Sequence, residues 1–214
     1  TDSVNADVQG RRYMRQETRK ARRKEIQQAA LALLVQHGYA ATTMASVAKA
    51  AGASLETLYK WYGDKPGLFR AMVQANIEDL RDALVMSTEA FHDPLAALQE
   101  FGSRLIAVLT SEEVVALNRA AAADSSGDLG RIIAEAGRGS IAPQLTDLFA
   151  RAMESDKPAL ITELYLGLLL GDLQIRRVIG RMPPPDAIET RERSDRALEL
   201  LCRLYPACPS KPPT

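Results

Sequence analysis

Two glycines, Gly52 and Gly63, divide residues 42–69 into pieces that leave room only for short helices. Each piece starts with a side chain that caps helix N-termini well, and the candidates are Thr42 or Thr43, Ser54 and Asp64. Glycine permits a sharp change of chain direction, so consecutive short helices can pack against each other. Two short helices joined by such a tight turn predict a helix-turn-helix.

A longer amphipathic helix precedes this motif. Apolar residues follow the spacing of one helical face at Ile26, Ala29, Ala30, Leu33 and Leu34. We predict that this helix begins near Thr18 and ends at His37-Gly38, with Gly38 in a left-handed conformation. The first 70 residues then hold three helices of about 20, 8 and 7 residues, before a fourth that runs to about residue 89.

The rest of the sequence has helical periodicity and no alternation typical of strands. Its Pro, Gly, Ser and Asp residues predict helices over 94–110, 111–123, 139–154, 158–180 and 187–205, with a short one ending near Gly137. We therefore predict an all-α fold of about nine to ten helices. Its predicted parts are a disordered arm (1–15), a three-helix helix-turn-helix domain (16–65), a helical bundle (66–205) and a disordered tail (206–214).

Charge is divided unevenly between these parts. Residues 1–70 carry 12 Lys and Arg against 6 Asp and Glu, a net +6, whereas residues 71–214 carry 15 against 21, a net −6. The basic excess is greatest over 11–24, which holds eight basic residues against Glu17 alone. A basic end joined to an acidic body predicts a polyanion-binding domain and a separate body.

The run TTMASVAKAAGASLETLYKWYGDKPGLF (42–69) resembles the DNA-binding domain of the tetracycline-repressor (TetR) family. That family's approximate pattern is T-x-x-x-I-A-x-x-A-G-V-S-x-G-T-L-Y-x-x-F-x-x-K-x-x-L, and the resemblance covers residues 22–70. The C-terminal part resembles the AefR-like subgroup through ALNRAAAAD (116–124), LGRIIAEAG (129–137) and ELYLGLLLGDL (163–173). The resemblance implies a sequence-specific, DNA-binding transcriptional regulator.

The resemblance also implies DNA-binding roles for individual residues. Phosphate-gripping positions of the family match Thr43, Tyr59 and Lys65, the last at a helix N-terminus that favours anions. Positions that approach base edges or nearby phosphates match Ser54, Leu55, Thr57 and Lys60. Of these, Lys60 can donate to guanine and Leu55 can touch a thymine methyl group. The basic arm, with Arg19, Arg22 and Arg23, adds sequence-independent attraction.

Two residues depart from the family pattern. Glu56 replaces the usual Gly, and it either favours the positive end of the helix dipole or accepts a hydrogen bond from a cytosine N4 amine. Trp61 stands where the family often has His or Tyr. It either packs against the first helix or stacks on the sugar-phosphate backbone.

The family implies a homodimer whose body holds a small-molecule inducer of unknown identity. The apolar segments 158–180 and 187–205 are the candidates for a four-helix dimer interface, with Gly167 and Gly171 allowing close helix contact, unless this face belongs to the core. Inducer is expected among the helices of 94–154 and the start of 158–180. Candidate lining residues, each of a type found more often in a plain core than in a pocket, are Phe91, Phe101, Leu105, Leu117, Phe149 and Tyr165.

The implied mechanism is repression by occupancy. A dimer is needed because one short helix contacts only a few base pairs, so specificity requires two half-sites about one DNA turn apart. Ligand would favour a spacing of the two DNA-binding domains that no longer matches successive grooves. Activation, regulation without a ligand, and a helical adaptor that binds no DNA are the alternatives.

An enzyme is not predicted, because no clustered catalytic groups are present in the sequence. His37 and His92 stand alone, and the acidic residues Glu112, Glu113, Asp124 and Asp128 are interpreted as helix-terminal charges. We predict no catalytic residue, cofactor or metal site.

A cytoplasmic location without a membrane partner is predicted from two features. Cys202 and Cys208 lack metal-ligand spacing and are typical of free thiols in a reducing compartment. The sequence shows no basic-then-apolar leader, and its most apolar run, 164–173, contains Gly171-Asp172 and is far shorter than a bilayer span.

Overall fold

A computed structural model describes the backbone of residues 2–153 and 155–205, and the side chains of that part from residue 17 onward except those of 137–140. Every element in this part of the chain is a helix, as the sequence predicts. The chain divides into two compact units between Met72 and Val73. The predicted disordered tail, which contains Cys208, lies outside the described residues.

The first unit consists of α1 (Asp2–Ala41), α2 (Met44–Ala50), α3 (Leu55–Tyr62) and the start of α4 (Lys65–Ala90). Gly38 interrupts the helical backbone of α1 at φ 76° and ψ 172°. Gly38 has the positive φ of the predicted left-handed cap, but its ψ is extended, which lets the chain turn towards α2. Thr42 fixes this turn by donating its hydroxyl proton to the Gly38 carbonyl at 2.8 Å.

A small core holds the three helices of the first unit together. The predicted stripe of α1 is buried at Ile26, Ala30 and Leu34. Val47 of α2 and Leu58 of α3 are likewise fully buried. At the start of α4, Phe69 packs edge-on against Tyr39 with ring centroids 5.8 Å apart.

The limits of the first unit differ from the predicted ones at both ends. Helix α1 includes residues 2–15, for which a disordered arm is predicted. This part of the sequence continues into a run rich in Arg and Lys, which are both favourable helix formers. The unit ends at Met72 rather than at residue 65, because Leu68, Phe69 and Met72 in the first turns of α4 are buried.

The second unit contains the rest of α4 and seven further helices within the described residues. These are α5 (Pro94–Leu109), α6 (Glu112–Ala123), α7 (Asp128–Ser140), α8 (Ala142–Ala152), α9 (Pro158–Leu170), α10 (Leu173–Val178) and α11 (Ala187–Leu204). Capping side chains start three of them, at Asp93, Ser111 and Asp186. Apart from α9 and α10, the bounds agree with the predicted ones to within about three residues.

Close packing of α5 against α9 and α11 organises the core of the second unit. Gly102 of α5 leaves room for the Tyr165 hydroxyl of α9 and the Ser194 hydroxyl of α11, and a Cβ there would lie 2.2 Å and 2.3 Å from these two oxygens. Tyr165 donates to the Leu98 carbonyl at 3.1 Å, and Ser194 donates to that of Gln99 at 2.8 Å. Both hydroxyls are thereby satisfied inside an apolar core.

The single helix predicted over 158–180 is wrong. Gly171 has φ 48° and ψ −123°, so α9 ends at Leu170 and α10 is a separate helix. The Arg193 guanidinium of α11 binds the carbonyls of Leu169 and Leu170 at 2.6 Å and 3.3 Å, which satisfies the end of α9. The predicted close helix contact required Gly167 and Gly171 on one helical face. Gly171 lies outside α9, so the two glycines do not share a face.

Residues Pro158–Val178 form the one segment of the described chain whose length and apolar composition match a membrane span. A core helix of a soluble protein has the same composition. In this structure Ile161, Tyr165 and Leu169 are buried in the second unit, and the helix stops at Leu170.

A buried arginine fixes α10 in place. Arg177, only 5% exposed, donates to the carbonyls of Thr110 and Met182 at 2.9 Å and 3.0 Å, and it pairs with Glu112 at 2.5 Å. The Arg119 guanidinium adds hydrogen bonds to the carbonyls of Arg177 and Val178. Glu112, predicted to be a helix-terminal charge, lies in the first turn of α6 and pairs with Arg177.

Candidate functional site

Reciprocal hydrogen bonds define the start of α2. The Thr43 hydroxyl accepts from the Ser46 amide at 3.0 Å, and the Ser46 hydroxyl accepts from the Thr43 amide at 3.0 Å. This capping box satisfies two amides that a helix N-terminus otherwise leaves unpaired. Thr43 is exposed beside this N-terminus, and its hydroxyl proton is not needed by the cap.

The turn between α2 and α3 is fixed by Gly52 and Ser54. Gly52 has φ 57°, a left-handed conformation that a side chain would oppose. Ser54 caps α3 by accepting from the Thr57 amide at 3.1 Å, and the two hydroxyls lie 2.8 Å apart. Ser54 and Thr57 thus stabilise the start of α3. Their predicted approach to DNA would take place at the same end of the helix.

Helix α3 has one buried side and one exposed side. Leu58 is completely buried and Tyr62 is half-buried, and burial raises the pKa of the Tyr62 phenol. Leu55 and Tyr59 are 41% and 51% exposed, although both are large apolar side chains. Lys60 is exposed beside them. The helix therefore presents apolar, hydroxyl and cationic groups to the outside.

Glu56 lies in the first turn of α3 and is exposed. Its position suits an interaction with the positive end of the helix dipole. The same position places it on the outward end of the helix, where a cytosine amine would be met. Both interpretations of Glu56 stay open.

Trp61 packs against α1, which was one of its two predicted positions. The guanidinium carbons of Arg19 and Arg23 lie 5.6 Å and 5.7 Å from the centroid of its ring. Both distances are typical of cation–π contacts. Two exposed arginines of the predicted basic arm are thereby held against α3 by one aromatic ring.

Arg22 contacts the turn between α2 and α3. Its guanidinium donates to the carbonyls of Ala51 and Gly52 at 2.8 Å and 2.7 Å, and it also pairs with Glu25. These carbonyls end α2 and would otherwise lack partners. Arg22 therefore joins α1 to the turn of the helix-turn-helix, a contact that was not predicted from the sequence.

Lys65 is also directed inward. Its ammonium donates to the Tyr39 carbonyl and lies 4.0 Å from the centroid of the Tyr39 ring. Burial lowers the pKa of the Lys65 ammonium. In this position Lys65 caps the C-terminal end of α1, and its phosphate contact stays a prediction.

Asp64 and Gly67 form the tight connection between α3 and α4. The Asp64 carboxylate accepts from the Gly67 amide at 2.7 Å, as expected of a helix cap. A Cβ on Gly67 would lie 2.0 Å from the carbonyl oxygen of Tyr62. Only glycine fits there without moving one of the two helices.

The second unit contains a half-open cavity of ≈ 260 Å³. Its wall is mainly aliphatic and is contributed by helices α4 to α10, and it includes Leu80, Leu105, Val108, Leu117, Leu145 and Leu166. Three side-chain amides interrupt this wall, those of Asn76, Asn118 and Gln174. A cavity with an apolar wall and few polar groups is typical of a small-molecule site.

Two of the six predicted lining residues, Leu105 and Leu117, contact this cavity. Phe101, Phe149 and Tyr165 belong to the packed core instead, and the last two rings meet at 5.1 Å. Phe91 is 39% exposed. The three amides were not predicted, although Asn118 and Gln174 each have apolar residues at helical spacing around them, a pattern that places a polar group on an inward face.

Comparison with known families gives two matches. The family model described as bacterial regulatory proteins, tetR family, matches residues 26–72. The model of the C-terminal domain of AefR-like transcriptional repressors matches residues 96–207, half of the chain. The first match covers the helix-turn-helix and the second covers most of the unit that contains the cavity.

Individual proteins give the same picture. The HTH-type transcriptional repressor ComR of Escherichia coli (strain K12) is 45% identical over 49 residues, so the chain spans about a quarter of that curated relative, 23% of each protein. A TetR-family regulator from Mesorhizobium loti MAFF303099 is 28% identical, with a TM-score of 0.72 over 87% of this chain and 97% of that one. A TetR regulator from Agrobacterium tumefaciens is 28% identical, with a TM-score of 0.67 over 87% and 95%.

Proposed function

The chain belongs to the TetR family of bacterial regulatory proteins, with an AefR-like C-terminal domain, and we propose that it is a homodimeric repressor that binds a pseudo-palindromic operator. The observation that carries this proposal is the exposed side of α3. Leu55, Tyr59 and Lys60 are exposed there, while Leu58 anchors the helix from its other side. A short, firmly capped helix with such a face suits the major groove.

Each exposed group of α3 has a partner on DNA. Lys60 donates to guanine O6 and N7 or to a nearby phosphate, and Leu55 packs on a thymine methyl group. Tyr59 and Thr43 donate hydroxyl protons to phosphates, with Ser54 and Thr57 at the end of the helix beside them. Arg19 and Arg23 supply attraction that does not depend on sequence.

We assign dimerisation to the last three helices of the second unit. Large apolar side chains are exposed along them, at Leu160, Ile175, Ile179, Ile188, Leu200 and Leu204. Exposed apolar groups concentrated on neighbouring helices are typical of a surface that is covered in an oligomer. A twofold dimer through this surface would supply the second recognition helix that a palindromic site requires.

Ligand control is assigned to the cavity of the second unit. A molecule that binds there more tightly when the protein is off DNA would release the repressor, because it shifts the equilibrium by its differential affinity alone. We also propose a cytoplasmic location, because a repressor acts where the bacterial DNA lies.

Selection from random DNA followed by a binding titration tests the proposal. We expect one palindromic sequence, two chains per site, a Kd of about 10⁻⁸ M or below, and steep weakening as salt rises. Weak binding that is indifferent to sequence would contradict a repressor. A monomer on a single half-site would contradict the assigned dimer.

A further inference from the structure

We propose that the cavity of the second unit binds a neutral, mainly apolar molecule of about two rings that carries a hydroxyl or another hydrogen-bond donor. This inference rests on the proposed function, since it takes the cavity as the regulatory ligand site. It is carried by the size of the cavity, the chemistry of its wall and the hydrogen bonds of its amides.

The size of the cavity limits the ligand. A cavity of about 150 Å³ holds one benzene molecule. The ≈ 260 Å³ lined by α4 to α10 therefore has room for a compact body of about two fused rings. A long acyl chain or a nucleotide would extend beyond this volume.

The wall excludes charged ligands. Among the described residues that line the cavity, none is acidic, basic or histidine. Arg177 follows Gln174 by one helical turn, but its guanidinium is taken by two carbonyls and Glu112. A carboxylate or ammonium in the cavity would lose its hydration and gain no opposite charge, which disfavours its binding strongly.

Two amides define the polar group of the ligand. The Asn118 side-chain nitrogen donates to the Val114 carbonyl at 2.8 Å, and that of Gln174 donates to the Leu109 carbonyl at 3.4 Å. Because both partners are carbonyls, the nitrogen of each amide must face the backbone. Each amide oxygen is then free to accept, and each nitrogen keeps one further proton, so a hydroxyl, which donates as well as accepts, is the matching ligand group.

Three probes with the same two-ring body separate these features. Equilibrium dialysis of the full-length protein at neutral pH would use 2-naphthol, 2-methoxynaphthalene and 2-naphthoate. We expect 2-naphthol to bind about tenfold more tightly than the methoxy compound, which accepts but does not donate a hydrogen bond. The ionised naphthoate should not bind measurably. Equal binding of naphthol and its methyl ether, or binding of naphthoate at least as tight, would overturn the proposal.

Substitutions locate the site. Asn118→Leu and Gln174→Leu should each reduce 2-naphthol binding towards that of the methoxy compound, and Ala142→Phe should remove it by filling the cavity. Gln74→Leu is the matched control, because Gln74 is an exposed amide outside the cavity and its loss should change nothing. If circular dichroism shows that a leucine variant does not fold, the three probes on the wild-type protein still test the ligand class.

Dialysis contains no DNA, so the two proposals fail separately. A protein that binds 2-naphthol but no operator would refute the repressor and keep the ligand class. A protein that binds its operator but none of the three probes would refute the ligand class and keep the repressor.

Discussion

The ammonium of Lys65 lies 4.0 Å from the ring centroid of Tyr39, at the C-terminal end of α1. Carbonyls at such an end lack helical partners, and a cation there also suits the negative end of the helix dipole. Lys65 therefore joins α4 to α1 inside the first unit. In a sequence, a lysine that stabilises the fold looks the same as one that binds a phosphate. The contact with Tyr39 assigns Lys65 a role in the fold.

Lys65→Ala should lower the free energy of unfolding of the first unit by about 1 kcal/mol, since it removes one partly exposed, charged hydrogen bond. Urea unfolding followed by the fluorescence of Trp61 measures this, because Trp61 is the sole tryptophan of the chain. The salt dependence of operator binding should stay unchanged in Lys65→Ala, whereas Lys60→Ala should lower its slope by about two if it contacts a phosphate in each half of the dimer. A reduced slope in Lys65→Ala would restore its predicted phosphate contact.

Arg22→Met should destabilise the first unit by about 2 kcal/mol, because it leaves the carbonyls of Ala51 and Gly52 without their charged donor. Methionine keeps most of the apolar stem, so the loss reports on the hydrogen bonds. Lys24→Met on the same helix is the control, since Lys24 is exposed, and it should change stability by less than about 0.5 kcal/mol. Equal effects of the two substitutions would remove Arg22 from its assigned role.

Gly67→Ala should cost about 2 kcal/mol or more, because its methyl group would lie 2.0 Å from the Tyr62 carbonyl oxygen. The same substitution at Gly130, within α7, meets no atom within 4 Å and should stabilise by about 0.5–1 kcal/mol. Thermal unfolding by circular dichroism distinguishes the two. A stable Gly67→Ala protein would show that α3 and α4 are not so closely connected.

Trp61→Ala should weaken operator binding about three- to tenfold, because Arg19 and Arg23 lose the ring that holds them and each contact is worth about 0.5–1 kcal/mol. Trp61→Phe should retain most of the affinity. Phe91→Ala, which removes an exposed aromatic from the second unit, is the control. Fluorescence anisotropy with labelled operator measures all three, and no difference between Trp61→Ala and Phe91→Ala would contradict the role given to Trp61.

The parts of the site that depend on neighbouring residues could be predicted from the sequence. The caps at Thr43, Ser54 and Asp64 act within three residues, so their identity alone indicates the helix starts. Helical spacing likewise predicts that Leu58 is buried and that Tyr59 is exposed.

Contacts between distant residues could not be predicted in this way. Arg22 and Lys65 have the charge expected of a phosphate-binding residue, and only the fold brings each to a carbonyl about 25–30 positions away in the chain. The end of α9 at Leu170 was missed for the same reason, because Arg193 of α11 supplies the partners for its last carbonyls. The cavity likewise depends on which helices face one another.

The most direct measurement of the central claim is the affinity of the selected operator for the protein that lacks both Tyr59 and Lys60 side chains. Combined Tyr59→Ala and Lys60→Ala should weaken specific binding by at least about a hundredfold, from two lost contacts of about 1–3 kcal/mol each in both halves of a dimer. Gln74→Ala should leave it unchanged, and circular dichroism should show all three proteins folded. Unchanged operator affinity in the folded double variant would show that α3 is not the recognition helix.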